Sequence, residues 1–353
     1  MSLFLAVDCG GSKTAVAIAD ASGTIVARAT GGPSNITYLT PAEFIANVSA
    51  AIAAALADAR PGAAPTLLAA PPPFAAAWFG ISGADSPAAI ARVAPALSTL
   101  LGLPLGPRLA LANDTSLLAS PLRTHPTATH AVAAVAGTGS ITVAFARGAD
   151  GAPAECSRAG GWGWLLGDEG SGFAVGRAAL LAVLRESDAA GPGPREAPAP
   201  GSLVAGVLGY FNVGSALEVL PALYAPDPAP GVHAEGSAGR AREKRISVLA
   251  PLVFAAAFDA RDPLALRVVE ETAGKLAEQL VSLLLCGDGR TPIDASQTVL
   301  CFGGSLAGVD AYRALIVADL ARRGHVFLDV VFVGDPAATG ASGLASAFGG
   351  TEQ

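Results

Sequence analysis

The chain has 353 residues, 22 Lys and Arg against 29 Asp and Glu, and a formal net charge of -7, a length that suits about two domains. Hydrophobic residues make up 52% and charged residues 14%, which supports large cores and argues against a disordered chain. The acidic balance and the lack of a Lys/Arg block remove the electrostatic footprint of nucleic-acid and anionic-membrane binders, so neither is an expected partner.

The N-terminus reads Met-Ser-Leu-Phe-Leu-Ala-Val-Asp, with no basic segment before the apolar run and an acid straight after it. That is not a secretory signal, and a cytoplasmic protein is expected. Phe4 to Val7 is a short apolar strand, stopped by Asp8-Cys9-Gly10-Gly11-Ser12-Lys13. Thr14, Val16 and Ile18 then alternate as a second strand and Thr24 to Ala29 form a third, which predicts an antiparallel meander. Pro41 to Ala59 is a predicted helix with Thr40 as N-cap and Pro at its first position. A proline-rich connection, Pro61 to Pro73, follows. Mean hydropathy is high at +0.49, but the best apolar stretch, Leu67 to Ile81, has 15 residues and is broken by Pro71, Pro72 and Pro73. A bilayer span takes about 20. Ala77 to Ile81 is a buried strand ending at Ser82-Gly83-Ala84-Asp85, Pro87 to Leu101 a helix, and Arg108 to Leu111 a strand running into Asn113-Asp114. A helix from about Thr115 to Ser120 comes next.

The pattern then restarts. Ala131 to Val135, the turn Ala136-Gly137-Thr138-Gly139-Ser140 and Ile141 to Ala146 echo Asp8 to Ile18, so internal duplication predicts two similar domains. A glycine-dense loop, Gly160 to Gly172, leads into a helix from Phe173 to Arg185. Glu186 to Ser202 and Ala225 to Arg245 read as solvent loops. Leu249 to Phe258 and Ala265 to Leu285 are helices, the second the longest expected. Val299 to Phe302 is a strand ending in Gly303-Gly304-Ser305, Val330 to Val333 another, and Ala338 to Phe348 the last helix. The four cysteines, Cys9, Cys156, Cys286 and Cys301, form no CxxC pair, so neither a zinc site nor a disulfide framework is expected. The four histidines lack ligand spacing, and His125 and His130 flank Pro126 in a loop.

Chemistry concentrates at the glycine stops. Gly11-Ser12-Lys13-Thr14 is not a P-loop, because that motif has four residues between its glycines and a helix after it. Strand alternation follows instead. The better reading is a β-hairpin in which Gly10, Gly11, Ser12 and Lys13 approach phosphates through backbone N–H groups and the Ser12 hydroxyl, with Asp8 holding a hydrated Mg²⁺. The plain alternative is a glycine hairpin with a surface lysine. Gly137, Thr138 and Gly139 form a second such turn, so two hairpins can grip a triphosphate from two sides. Gly303, Gly304 and Ser305 let backbone lie against a nucleobase. No GxGxxG run favours a dinucleotide.

This order of hairpin, Asp-bearing connection, second hairpin and Gly-Gly-Ser strand resembles the sugar kinase, Hsp70 and actin superfamily. More narrowly, the chain resembles the N-acetylglucosamine kinase branch of the BadF/BadG/BcrA/BcrD ATPase family over almost its full length. The most specific segment is Gly160-Gly161-Trp162-Gly163-Trp164-Leu165-Leu166-Gly167-Asp168-Glu169-Gly170-Ser171-Gly172, similar to the family's sugar-site loop. The resemblance implies two ribonuclease-H-like α/β domains around a cleft, residues 1–122 plus 336–353 and residues 123–335, with the last helix returning to the first. It implies ATP-dependent phosphorylation of the 6-hydroxyl of N-acetylglucosamine, with ATP and Mg²⁺ as cofactors and a homodimer as the expected assembly. Asp114 would be the base, with Asn35, Ser140, Gly161, Trp162, Gly163 and Asp168 as sugar contacts. On residue type alone, Asn113-Asp114 and Asp168-Glu169 also suit helix caps. The chain departs from the family at Ile141, where animal enzymes carry Asn, and at Cys9, where Gly is more usual. Alternatives are a kinase of glucosamine or another hexose, a non-catalytic nucleotide-binding regulator, and an ATPase activator of a radical dehydratase. The last holds an iron–sulfur cluster through cysteines, for which Cys156 and Cys286 are the candidates.

Overall fold

The structure is a computed structural model and describes residues 2–62, 72–149, 151–191, 196–228, 237, 239–286 and 291–351. The chain opens with β1 (Leu3–Cys9), β2 (Thr14–Ala19) and β3 (Ile25–Gly31), then α1 (Pro41–Ala59), β4 (Phe74–Ile81), α2 (Pro87–Ala91), α3 (Ala94–Leu101), β5 (Leu109–Asn113) and the short α4 (Thr115–Leu118). After a 3₁₀ turn at Ser120–Thr124 come β6 (His130–Ala136), β7 (Ser140–Arg147), β8 (Pro153–Gly160) and α5 (Gly172–Ala189). Helices α6 (Leu203–Phe211), α7 (Val219–Tyr224), α8 (Arg242–Ser247), α9 (Ala250–Phe254) and α10 (Pro263–Cys286) follow. The chain closes with β9 (Thr298–Gly303), α11 (Asp310–Arg322), β10 (Asp329–Phe332) and α12 (Pro336–Phe348).

The duplication is visible in the sheets. The first runs β3-β2-β1-β4-β5 and the second β8-β7-β6-β9-β10. In each, three strands form an antiparallel meander and two more add in parallel to the first strand of that meander. Strand β1 is central, so both its faces are covered and its apolar run is nearly unbroken. Its period of two divides it between two cores. Leu3, Leu5, Val7 and Cys9 face the core that includes α1. Phe4 and Ala6 face the core built with α12.

Helix α1 has the expected start. Thr40 accepts from the Glu43 N–H and Glu43 returns the bond to Thr40, a capping box with Pro41 at the first position. By length and apolarity α1 is the single helix among the described residues that could cross a membrane. Its buried Phe44, Val48, Ala51, Ile52, Ala55 and Leu56 instead cover the first sheet, each large side chain contributing about 1.5–3 kcal/mol.

The two halves exchange elements. Helix α12, late in sequence, packs on β1, β2 and β4, with Ala337, Ala341, Leu344 and Ala345 against Phe4, Ala17, Ala19 and Trp78. In return Leu118, Ala119 and Leu122 pack with Ala131, Val143, Val299 and Cys301 under the second sheet.

Several elements differ from the sequence reading. The helix expected over Pro87 to Leu101 is two helices, because Pro95 restarts the second one and cannot donate within a continuous ladder. The helix expected to reach Ser120 gives way to the 3₁₀ turn at Pro121. Leu249 to Phe258 is α-helical through Phe254 and then widens into a π turn, Ala255–Asp259. Strand β8 is unanticipated, since Pro-Ala-Glu-Cys-Ser-Arg is polar and pairs only as a half-exposed edge. Helix α11 is also unanticipated, its sequence showing no clear apolar stripe. Helix α8 begins inside the loop expected at Ala225 to Arg245, and α5 extends into the one expected at Glu186 to Ser202. The remaining parts of those loops at 192–195, 229–236 and 238, and residues 63–71 of the proline-rich connection, lie outside the described residues.

Helices α5 and α8 meet through a glycine: a Cβ on Gly176 would lie 2.0 Å from the Ile246 carbonyl oxygen. Gly176→Ala is expected to lower unfolding free energy by about 1–3 kcal/mol or more. Gly209→Ala, at a helical site with open space, should be neutral or stabilising by up to about 1 kcal/mol. Urea melts of the pair check this contrast.

Candidate active site

The first sheet delivers its chemistry at the C-terminal ends of β1, β4 and β5. Beyond β1, Gly10 donates to the Lys13 carbonyl at 3.0 Å and its own carbonyl accepts from Ser34 N at 2.9 Å, so the hairpin is closed and tied to the loop after β3. Gly11, Ser12 and Lys13 are exposed. Thr14, fully buried, donates to the Gly32 carbonyl. At the end of β4, Ser82 donates to the carboxylate of Asp114. Asn35 belongs to the same corner. Its Oδ1 accepts from Thr37 N at 2.8 Å, and Ile36 N bonds Ser82 O at 3.1 Å. Gly83 permits this approach, having φ +85° and a position where a Cβ would meet Asn35 Oδ1 at 2.7 Å.

The two candidates for a cap at the end of β5 divide the work. Asn113 accepts from Thr115 N at 3.1 Å and donates to Asp85 at 2.9 Å, whereas Asp114 makes no side-chain cap bond. Burial holds the Asp114 carboxyl above the ordinary carboxylate range, and the Ser82 bond pulls the other way. Asp8 is pushed up to about 6, first by burial and then by the charge of Asp114, with Lys13 opposing and Asp335 adding to the rise. Asp8 at the end of β1 thus lies within electrostatic reach of Asp114, just before α4, and of Asp335, just before α12. Asp335 is a participant that sequence reasoning missed. It caps α12 through Ala338 N at 2.9 Å and takes a 3.0 Å bond from Arg28. The Asp335-Pro336 pair before a helix carried the capping half of that signal.

In the second half, Gly137 N bonds Gly139 O at 2.9 Å, and the start of α5 clasps the turn through Gly172 N to Gly137 O at 2.8 Å and Phe173 N to Thr138 O at 3.3 Å. Gly304, at φ +91°, brings its backbone against the Ala136 carbonyl, where a Cβ would come within 2.5 Å. Gly137, Gly304 and Ser305 are thus neighbours. Next to them opens a cavity of about 430 Å³ lined by Pro251, Phe254, Ala255, Phe258, Ser305 and Leu306. Its apolar wall fits a nucleobase beside the Gly303–Ser305 turn. Residues of α9 were legible only as core.

The glycine-dense loop folds back on the second hairpin. Asp168 is 8% exposed with φ +62°, and its Oδ2 would be 2.8 Å from a Cβ on Gly139. Neither Asp168 nor Glu169 caps α5; Ser171 does, accepting from Ala174 N at 3.2 Å. Ser140 donates to the Glu169 carbonyl at 2.7 Å, so its proton holds the loop. Gly161 N bonds Ser140 O at 3.1 Å, and Ile141 lies beneath Gly161, 2.7 Å from where a Cβ would stand. Gly163 begins a turn to Gly167. Trp162 is 70% exposed, while Trp164 leans on Phe173 with centroids 5.3 Å apart. The loop reaches the first half at its base, where Arg158 of β8 lies 3.9 Å from Asp85, the partner of Asn113. Cys156 donates to the Ala144 carbonyl within the sheet at 3.3 Å; the side chain of Cys286 lies outside the described residues.

Paired sheets of this topology, with a glycine hairpin after the first strand of each, define the α/β architecture of actin-like ATPases and sugar kinases. A model of the BadF/BadG/BcrA/BcrD ATPase family matches residues 5–337, and the chain belongs to that family. Among solved structures, it is similar to a proposed N-acetylglucosamine kinase from Chromobacterium violaceum, at 23% identity over 98% of this chain and 99% of the other, with a TM-score of 0.57. A proposed N-acetylglucosamine kinase from Porphyromonas gingivalis matches at 20% identity over 99% and 100%, TM-score 0.60. A ROK family glucokinase from Streptomyces griseus, solved with glucose and AMPPNP, matches at 16% over 98% of both chains, TM-score 0.53. A sequence search of curated proteins returned no match.

Because the folded Asp8 carboxyl titrates near 6 against an ordinary 3.8, its ionisation opposes folding. The favourable contribution is complete below about pH 4 and is lost as pH rises through 6. Asp8→Asn is therefore expected to stabilise the ligand-free chain at pH 8, by up to about 3 kcal/mol, with the gain shrinking toward pH 4. Urea melts at pH 4, 6 and 8 measure it, and a gain independent of pH would contradict the electrostatic account.

Proposed function

We propose that the chain transfers the γ-phosphoryl group of ATP to the 6-hydroxyl of N-acetylglucosamine. The observation that carries this reading is Asp114. It is a largely buried carboxylate oriented by Ser82, set between a phosphate-type hairpin and the Asn35 corner, and held above the usual carboxylate range. Phosphoryl transfer to an alcohol requires a carboxylate within hydrogen-bond reach of the hydroxyl, while positioning and electrostatics supply most of the acceleration. Asp114 accepts the hydroxyl proton. Asn35 and Asp168, together with the backbone of Gly161 and Gly163, orient the sugar hydroxyls, and Trp162 covers the ring as the cleft closes. Hydrogen-bonding groups of this kind reject sugars that lack the matching hydroxyl. Gly10–Lys13 and Gly137–Gly139 hold the phosphates, and Gly303–Ser305 with the α9 cavity hold the adenosine.

Among the described residues no three His, Cys, Asp or Glu side chains are grouped to bind a metal directly. Asp8, a carboxylate at the end of β1 beside the first hairpin, would hold a nucleotide-borne Mg²⁺ through water, and the ion would supply charge neutralisation at the phosphates. The closing units are residues 1–122 with 336–353 and residues 123–335, and the assembly is a cytoplasmic homodimer. A second reading, a kinase for glucosamine or another hexose, is favoured by Ile141. That side chain lies under Gly161 and offers no polar group to an acetamide.

A coupled ADP-release assay across N-acetylglucosamine, N-acetylmannosamine, glucosamine and glucose decides among these. N-acetylglucosamine should give the largest stimulation, and Asp114→Ala should lower kcat by about 10²–10⁴-fold. No stimulation by any sugar, or a full rate in the variant, would make the kinase reading wrong.

A further inference from the structure

The second hairpin has a cationic neighbour that no motif reveals. Lys244 of α8 places its Nζ 3.4 Å from the Thr138 Oγ1, across 106 positions of sequence. We propose that Lys244 is a nucleotide-phosphate ligand, the counterpart on the second half of Lys13 on the first. This rests on the nucleotide reading of the two hairpins given above.

Three features place the ammonium group there. First, α8 is fixed to the same helix that clasps the hairpin. The Ile246 carbonyl sits on Gly176 of α5, and a Cβ on Gly172 would meet both the Ser247 and Gly137 carbonyls, at 3.2 and 3.3 Å. Lys244 and Thr138 are therefore held to one rigid support. Second, Arg245 is fully buried and spends its guanidinium on backbone. Its Nε donates to Ser237 O at 3.1 Å, and its terminal nitrogens donate to Leu223 O at 3.1 Å, Ala225 O at 2.5 Å and Pro226 O at 2.7 Å. A buried charge that donates to four backbone carbonyls ties the chain leading into α8 to that helix. Third, the basic residues of Arg242-Glu243-Lys244-Arg245 are not equivalent. Arg242 is paired with Asp227 at 3.3 Å and Arg245 is taken up by backbone carbonyls, whereas Lys244 is exposed and, among the described residues, bonds the hairpin hydroxyl. A primary ammonium beside a glycine turn suits an anionic phosphate, and in a chain of net charge -7 such a local cation offsets the unfavourable overall field.

The test is direct binding by calorimetry of MgATP and AMP to the wild-type chain, K244Q, K244R and R242Q, without sugar, so that transfer activity is not needed. K244Q should weaken MgATP binding by about 10-fold or more while AMP binding changes less than about 2-fold, since a loss confined to the outer phosphates is what one missing charge-assisted contact produces. K244R should retain most of the affinity, and R242Q should match wild type. Equal MgATP binding by K244Q and wild type would overturn the role of Lys244 and leave the nucleotide site intact. Equal weakening of MgATP and AMP would overturn it too, by showing a general disturbance of the site. Failure of the wild-type chain to bind MgATP would remove the nucleotide reading itself and the proposal with it.

Discussion

One side chain, Leu117, carries the geometry of the site. It wedges between β4 and α12 at two glycines: a Cβ on Gly80 would lie 2.7 Å from one Leu117 methyl, and a Cβ on Gly340 2.8 Å from the other. With no side chain on either wall, α4 and α12 reach van der Waals contact with the first sheet. Asp114 stands just before α4, and Asp335 just before α12. Their approach to Asp8 at the end of β1 is thus a product of apolar packing beneath them. Burying Asp8 and Asp114 together costs free energy, as the raised Asp8 shows, and the glycine-lined contact supports that cost from a core that is otherwise well filled.

The same contact explains how a duplicated chain becomes one machine. Each half supplies a central strand with an apolar face that its own helices do not cover. The segment from Leu118 to Leu122 fills that need for the second sheet and α12 fills it for the first. Such an exchange makes each carboxylate-bearing helix start a junction between halves, and any motion of one sheet against the other must work through these helices. The two glycine hairpins are set differently. The first is tied to the loop after β3 through Gly10 and Ser34, and the second is clasped by α5, so each travels with its own half.

The apolar turn Trp162–Leu166 projects outward, with Leu165 and Leu166 75% and 79% exposed, while its base is fixed by Ser140, Ile141 and the partly hidden Asp168. An exposed apolar rim above a fixed polar base is a surface whose side chains gain free energy when something covers them and displaces their water.

The sequence by itself determined the first meander, the hairpin that echoes it, the capping of α1, the strand ends that carry glycine and the duplication. Each of these is written in a local period, a turn or a cap, where nearest-neighbour sterics and hydrogen bonding decide. It also marked Asp114, because an acid between a strand and a helix is a local pattern. Tertiary structure decided the rest. It made a strand of the polar segment 153–160 by offering it an edge. It gave Ser171, not Asp168, the cap of α5. It also joined residues that no spacing connects, namely Asp335 to Asp8, Ser82 to Asp114 and Lys244 to Thr138. Those pairings depend on how glycine-lined surfaces let helices settle on sheets, a matter of packing distance that a linear pattern of residues does not record.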